Sequence, residues 1–388
     1  MKTDQKLYPV FINSQNVGHQ KTMQGIATAI TPIQERHVRL PSLIDEKSKL
    51  ISEFKKELSK KPEVLTLSLQ KILDRAVEIL KTKLPDFPKG STPVYLNYFS
   101  WPDQLFTGLA LKKIKPESIL FSLGTPSRHT NSFDLIAIPP GEKIPPLISK
   151  KAFHIDTLPN PVDPELVANA AKKWKDKLIY PSTKSKPIIT VLLGGSVPIV
   201  DSDNKQTEIV PFTLKHANEL CNGVIALAEK LGARLLVSTS LRTPQEVEDA
   251  VFKKLAPYAD YMFPYSKNRL NPYYGMLGLA DFIVVTAEST SQISEALCSG
   301  KKTVIYTPKS IIKKKDPIHL DFLNKFLSKG YMSKLESFPL QKTGSNRLEN
   351  PAQIIAQKVH QLVRQRNRNP ENQMVKDIPQ KPLKQYWG

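Results

Sequence analysis

Residues 188–196 read Ile-Ile-Thr-Val-Leu-Leu-Gly-Gly-Ser, and their reading decides the fold. The first six are apolar or β-branched, without the polar alternation of a half-exposed strand. A strand buried on both faces is therefore expected, which belongs in a parallel sheet between helix layers. Residues 282–286, Phe-Ile-Val-Val-Thr, repeat the pattern. Around them helix-period stretches at 213–231, 244–255, 273–279 and 289–299 alternate with β-rich runs at 233–238, 260–264 and 303–307. Upstream, β-rich runs at 7–13, 93–99, 118–123 and 133–139 are separated by helical patterns at 62–83 and 102–114. A polar Pro/Lys/Ser connector near Tyr180–Pro187 divides the two sets. The expected architecture is α/β: two Rossmann-like, doubly wound domains at 1–182 and 188–345 facing a central cleft. A helix at 350–367 would pack back across the hinge, and a basic tail at 369–388 is expected to be flexible. In such sheets ligands sit at the strand carboxyl ends, so loop-to-helix junctions on the cleft carry the chemistry.

Composition narrows the partners. With 40% hydrophobic and 24% charged residues the chain can fill cores, which excludes wholesale disorder. A net charge of +20 favours an anionic partner: nucleotide, phospholipid or nucleic acid. The last 88 residues hold 18 Lys/Arg against 6 Asp/Glu, so most of the excess lies there, densest at Lys313-Lys314-Lys315. This reads as solvated surface or as a face resting on anionic lipid. Neither an aromatic-rich strand motif nor a DNA-reading motif accompanies the charge, which argues against nucleic acid. Cys221 and Cys298 form neither a disulfide framework nor a metal knuckle and read as small core residues. The opening residues lack a signal-peptide core, and no stretch reaches the ~18 apolar residues of a membrane span. The expected location is cytoplasmic, with at most a peripheral contact on the inner face of a membrane.

Three segments could hold an anion. Gly194, Gly195 and Ser196 follow the opening strand of the second half, where paired glycines let backbone N–H groups approach a ligand. A plain turn explains them equally well, and the pattern is neither a Walker A motif nor a G-x-G-x-x-G fingerprint. Ser238-Thr239-Ser240-Leu241-Arg242-Thr243-Pro244 ends the next strand. Capping accounts for Thr243 and Pro244 but not for Arg242, because a cation at a helix start opposes the dipole unless an anion lies there. Residues 285–300 end a strand, open a helix through Ser289, Thr290 and Ser291, and place Glu295 one turn on. That arrangement suits a diphosphate with a ribose contact, or simply a well-capped helix.

These segments also carry a resemblance. The stretch NPYYGMLGLADFIVVTAESTSQISEALCSGKKTVIY, with STSLRTP and LLGGS upstream, resembles the mitochondrial-fission "elongated mitochondria" family over most of residues 188–308. Weaker likenesses lie at Gly18-His19 and at 133–139. The chain departs from the family at Leu241, where an arginine is commoner, at Glu288, where Asp is commoner, and at Thr22, where Gln is commoner. The family in turn resembles GT-B glycosyltransferases. That resemblance implies a nucleotide-diphosphate sugar as donor substrate, with Gly194, Gly195, Ser196, Ser240, Arg242, Ser289, Thr290 and Ser291 at the diphosphate and Glu295 at the ribose. It also implies no metal and no bound cofactor, since Arg and a helix dipole can offset leaving-group charge.

His19 sits beside Gly18 in what reads as the loop after the first strand. A histidine there can act as general base near neutral pH, and the resemblance implies that it deprotonates the acceptor hydroxyl. His129 is the second choice. Asp201-Ser202-Asp203 matches a metal-binding D-x-D pattern but reads as a hairpin turn. The first expectation is thus sugar transfer from a nucleotide-diphosphate sugar. The rivals are a non-catalytic GT-B-like scaffold or membrane recruitment factor, and a nucleotide-sugar epimerase.

Overall fold

The computed structural model describes residues 6–12, 17–40, 67–98, 102–125, 132–200, 206–267, 270–312, 317–337 and 347–368. The expectations at His129, Asp201–Asp203, Lys313–Lys315 and the tail from 369 fall outside these residues. The chain divides into two compact units, Met1–Pro161 with Pro351–Gly388, and Val162–Asn350.

In the first unit β1 (Leu7–Ile12), β2 (Val38–Leu40), β3 (Thr92–Tyr98), β4 (Ile119–Leu123), β5 (Leu135–Ile138) and β6 (Ala152–His154) form one sheet in the order β2-β1-β3-β4-β5-β6. Every pairing is parallel. The central strands β3 and β4 are buried along their whole length, as strands covered by helices on both faces must be. One face is covered by α2 (Leu67–Lys81) and α3 (Pro102–Ile114), whose Leu73, Leu80 and Phe106 join Tyr95 and Leu120 in a core. The other face is covered by α1 (Val17–Ile30) and by α11 (Pro351–Arg368), the helix expected at 350–367. Ile355 and Val359 of α11 are fully buried against Ile26 of α1 and Phe121 of β4.

The second unit opens with α4 (Pro164–Leu178), started by Asp163, whose side chain accepts the Leu166 N–H at 2.8 Å. Its sheet contains β7 (Ile188–Leu192), β10 (Arg234–Ser238), β11 (Ala259–Phe263), β12 (Phe282–Thr286), β13 (Lys302–Tyr306) and β14 (Met332–Lys334). The order is β11-β10-β7-β12-β13-β14 with all pairings parallel. An antiparallel hairpin, β8 (Val197–Val200) with β9 (Gln206–Val210), is inserted after β7. The helices are α5 (Leu214–Leu231), α6 (Gln245–Leu255), α7 (Tyr273–Leu279), α8 (Thr290–Ser299), α9 (Lys309–Ile312) and α10 (Pro317–Ser328).

The connector near Tyr180–Pro187, expected to separate the domains, lies inside the second unit. Asp260 is the reason. Its carboxylate accepts from the Thr183 hydroxyl, from the Tyr180 N–H at 3.3 Å and from Arg234 Nε at 2.7 Å. The helix before the connector, α4, packs on α7 and so travels with this unit as well.

Candidate functional site

The strand order of the second unit reverses between β7 and β12. At such a switch point the loops on either side diverge and leave room for a ligand at the strand carboxyl ends. The loops after β7, β10 and β12 meet there.

Glu288 and Gly194 tie them together. The buried Glu288 Oε1 accepts the Gly195 N–H at 2.8 Å and the Thr286 hydroxyl at 2.7 Å. Thr286 Oγ1 in turn accepts the Gly194 N–H at 2.9 Å. The Gly194 carbonyl accepts the hydroxyls of Ser240 and, at 2.7 Å, Thr243. The Ser196 N–H donates to the Arg242 carbonyl at 2.9 Å, and Arg242 Nη1 returns a bond to the Ser196 carbonyl at 3.2 Å. Glycine is required at both turn positions. A Cβ on Gly194 would lie 2.1 Å from Glu288 Oε1, and one on Gly195, at φ +138°, would lie 2.2 Å from the Arg242 carbonyl oxygen.

The structure therefore brings Gly194, Gly195, Ser196, Ser240 and Arg242 into one cluster. The N–H groups of the glycine pair and of Ser196 donate within the protein. Ser289 reaches the same turn, its Cβ lying 3.1 Å from where a Gly194 Cβ would stand. Thr290 and Ser291 begin α8, whose first-turn N–H groups have no intrahelical acceptor and carry the positive end of the helix dipole. His319 of α10 braces this start, with Nε2 2.7 Å from the Ala287 carbonyl and Nδ1 3.2 Å from the Thr290 hydroxyl.

Glu295 lies one turn into α8 and is only 3% exposed. Its Oε2 accepts the Tyr273 hydroxyl at 2.5 Å. Burial, and then the Glu295 charge, push the Tyr273 phenol far above its ordinary range, so it stays protonated and donates to the carboxylate.

His19 belongs to the first unit. It was expected in a loop, but the chain is already helical there: His19 stands in the first turn of α1. Gly18, which suggested a loop, lies inside that helical turn. Its ring is tilted 30° against Tyr98 at 4.1 Å between centroids, and burial lowers its pKa from the ordinary 6.5. The imidazole is accordingly neutral at physiological pH.

Sequence reasoning missed Glu288, Thr286, Tyr273 and His319 as parts of the site. Glu288 and Thr286 lay within a segment already singled out, but their partner turn is 93 positions away in sequence. His319 carried no local signal. Among the described residues no group of three or more His, Cys, Asp or Glu is placed to hold a metal ion, and no helix is long and apolar enough to cross a membrane.

Two doubly wound units, each built on an all-parallel six-stranded sheet and the second with its loops gathered at the switch point, give the protein a GT-B-like α/β fold. A putative UDP-N-acetylglucosamine 2-epimerase from Listeria monocytogenes is similar in fold, with a TM-score of 0.51 at 10% identity over 94% of this chain and 97% of that one. MurG from Acinetobacter baumannii gives a TM-score of 0.43 at 12% identity over 93% and 92% of the respective chains. Residues 17–363 match the family described as Mitochondrial fission ELM1, and the chain belongs to that family. Mitochondrial fission protein ELM1 of Arabidopsis thaliana is 26% identical over 144 residues, which is 37% of this chain. That match spans 30% of the plant protein's length.

Proposed function

We propose that the protein binds a nucleotide-diphosphate sugar at the switch point of the second unit and transfers the sugar to an acceptor held by the first. One observation carries the reading: the start of α8 and Arg242 share a single turn, Gly194–Ser196, at the place where doubly wound sheets take phosphorylated ligands. Ser289, Thr290 and Ser291 offer hydroxyls and first-turn N–H groups to the diphosphate, and Arg242, whose guanidinium is held on the Ser196 carbonyl, offers its charge. Gly194, Gly195, Ser196 and Ser240 frame this surface and bring the loops close enough to serve it. Glu295 meets the ribose. His19, kept neutral by burial, takes the proton of the acceptor hydroxyl as it attacks the sugar, and the nucleoside diphosphate leaves onto the helix dipole and Arg242. No divalent metal is needed in this scheme.

A second reading is favoured by the plant relative, whose name is that of a fission protein, and by the internal use of the Gly194, Gly195 and Glu295 groups. In it the unit is a scaffold recruited to an anionic membrane by Lys313, Lys314 and Lys315 and the basic C-terminal region. A thermal-shift panel of nucleotide-diphosphate sugars, followed by product analysis with mixed acceptors, separates the two. A binder at 100 times its dissociation constant stabilises by about 2.7 kcal/mol. Binding with transfer supports the enzyme, and binding with a sugar inverted at one carbon would make it an epimerase. No stabilisation across a broad panel overturns the nucleotide-sugar reading.

A further inference from the structure

Tyr273 and Glu295 come from separate elements, and the pair is built with care for orientation. Tyr273 is the first residue of α7, and its own N–H donates to Asn271 Oδ1 at 3.0 Å, which fixes the entry of the chain into the helix. The helix packs closely on α4: a Cβ on Gly278 would lie 2.1 Å from the Val167 carbonyl oxygen. On its other side the Tyr273 ring meets Tyr274 edge-on at 5.6 Å between centroids. The phenol, 7% exposed with its residue, is thus aimed by backbone packing and not by a flexible tether. Its hydroxyl donates to Oε2 of Glu295.

A carboxylate has about four lone-pair directions over its two oxygens. A donor fixed on one oxygen sets the plane of the group and so the directions in which it accepts other hydroxyls. A vicinal diol needs that plane held, since its two O–H groups are rigidly spaced on the sugar ring. We propose that Tyr273 is a positioning residue that holds the Glu295 carboxylate in the plane that accepts a ribose diol, so that the choice between ribo- and 2′-deoxyribonucleotides is set through Tyr273. The inference rests on the nucleotide-binding reading of α8 and extends it to specificity. It also accounts for the Asn-Pro-Tyr segment at 271–273, which starts α7 and supplies the phenol in one turn of chain.

The test measures discrimination rather than affinity alone. Calorimetry compares the ribonucleoside diphosphates with their 2′-deoxy counterparts, and inorganic pyrophosphate reports on the anion site. The wild-type protein should prefer its best ribonucleotide over the deoxy form by roughly tenfold to a hundredfold, the scale of a hydroxyl donating to a charged acceptor. Tyr273→Phe keeps the ring and removes the donor. Its preference should fall to about threefold or less while pyrophosphate binding is unchanged, which a general loss of structure would not produce. Should that variant fail to fold, 3-fluorotyrosine installed at position 273 keeps a hydroxyl of greater acidity, and the preference must then shift from the wild-type value. A preference unaltered in either substituted protein overturns the role of Tyr273 and leaves the nucleotide site standing. Wild-type protein that binds both sugars equally overturns Glu295 as the ribose contact, and the role of Tyr273 with it.

Discussion

Glu288 accepts the Gly195 N–H at 2.8 Å although the two residues stand 93 positions apart, and this one bond joins the loop after β12 to the loop after β7. The carboxylate is 1% exposed, so the bond has no competition from water. Removing the acceptor leaves a buried N–H and the Thr286 hydroxyl to find new partners, a cost of about 1–3 kcal/mol for each such group. Glu288→Ala should therefore lower the denaturant midpoint of the second unit clearly, and Glu288→Gln, which still offers an oxygen, should lower it much less. Amide hydrogen exchange at Gly195 is the local check: it should quicken in the Ala variant only.

Arg242 tests the anion surface. Its guanidinium bonds the Ser196 carbonyl at 3.2 Å, which keeps the charge beside the turn shared with Ser289. Arg242→Ala should weaken nucleoside diphosphate binding by roughly 1.5–3 kcal/mol, the worth of a charge-assisted hydrogen bond. Nucleoside binding should change far less. Equal losses for both ligands, measured by calorimetry, would remove Arg242 from the diphosphate contacts.

Much of this arrangement could be read in advance, and the limits have physical causes. The strands β7 and β12 announce themselves as continuous apolar runs because both of their faces are buried. The hairpin after β7 was legible from its polar, turn-rich sequence. By contrast β2, β6 and β14 have three residues each, too few for any period to register. The helix α1 mixes polar and β-branched residues and has no acidic residue in its first turn, so no start signal marks it. For α4 a signal existed, Asp163 followed by Pro164 and Glu165, and it was overlooked. At the site the residue types were legible but not their pairings. Nothing local says that Glu295 will be taken up by Tyr273 or that His319 will brace Thr290.

His19 gives a pH dependence with a definite sign. Burial lowers its pKa from 6.5, so below that value the unfolded chain binds a proton that the folded chain refuses. Stability rises with pH wherever the unfolded state holds more protons, so this group contributes a loss as the pH falls from 6.5 toward its folded pKa. His19→Gln removes the titration. Between about pH 7.5 and about pH 5.5 the variant's denaturant midpoint should fall less than that of the wild type. The opposite order would mean that the folded protein stabilises the imidazolium.

The basic region is tested on vesicles. If Lys313, Lys314 and Lys315 rest on anionic lipid, protein should co-sediment with anionic liposomes at low salt and be released near about 0.5 M, where screening is short-ranged. Replacing the three lysines by Gln should reduce retention at low salt, and neutral liposomes should retain little. Equal retention on neutral lipid would exclude the cluster as the anchor.

The helix α11 poses a question of which contact holds it on the first unit, and magnitudes decide the answer. Arg366 pairs with Asp134, which also accepts Lys112 Nζ and the Leu120 N–H, both at 2.8 Å. Those side chains are about one-fifth exposed, where an ion pair is worth on the order of 1 kcal/mol. The apolar face is worth more. Ile355 and Val359 are fully buried and Val363 nearly so, at about 1.5–3 kcal/mol for each side chain. Asp134→Asn should thus shift the unfolding of the first unit only slightly. A chain ended after Asn350 should lose that unit's protection altogether, because Ile26, Phe121 and Ala137 would face water where α11 had covered them. Hydrogen exchange resolved by peptide reads both variants: fast exchange should spread through α1 and β4 in the shortened chain and stay absent in Asp134→Asn. Should Asp134→Asn instead match the shortened chain, the ion pair and not the apolar face would be what holds the helix.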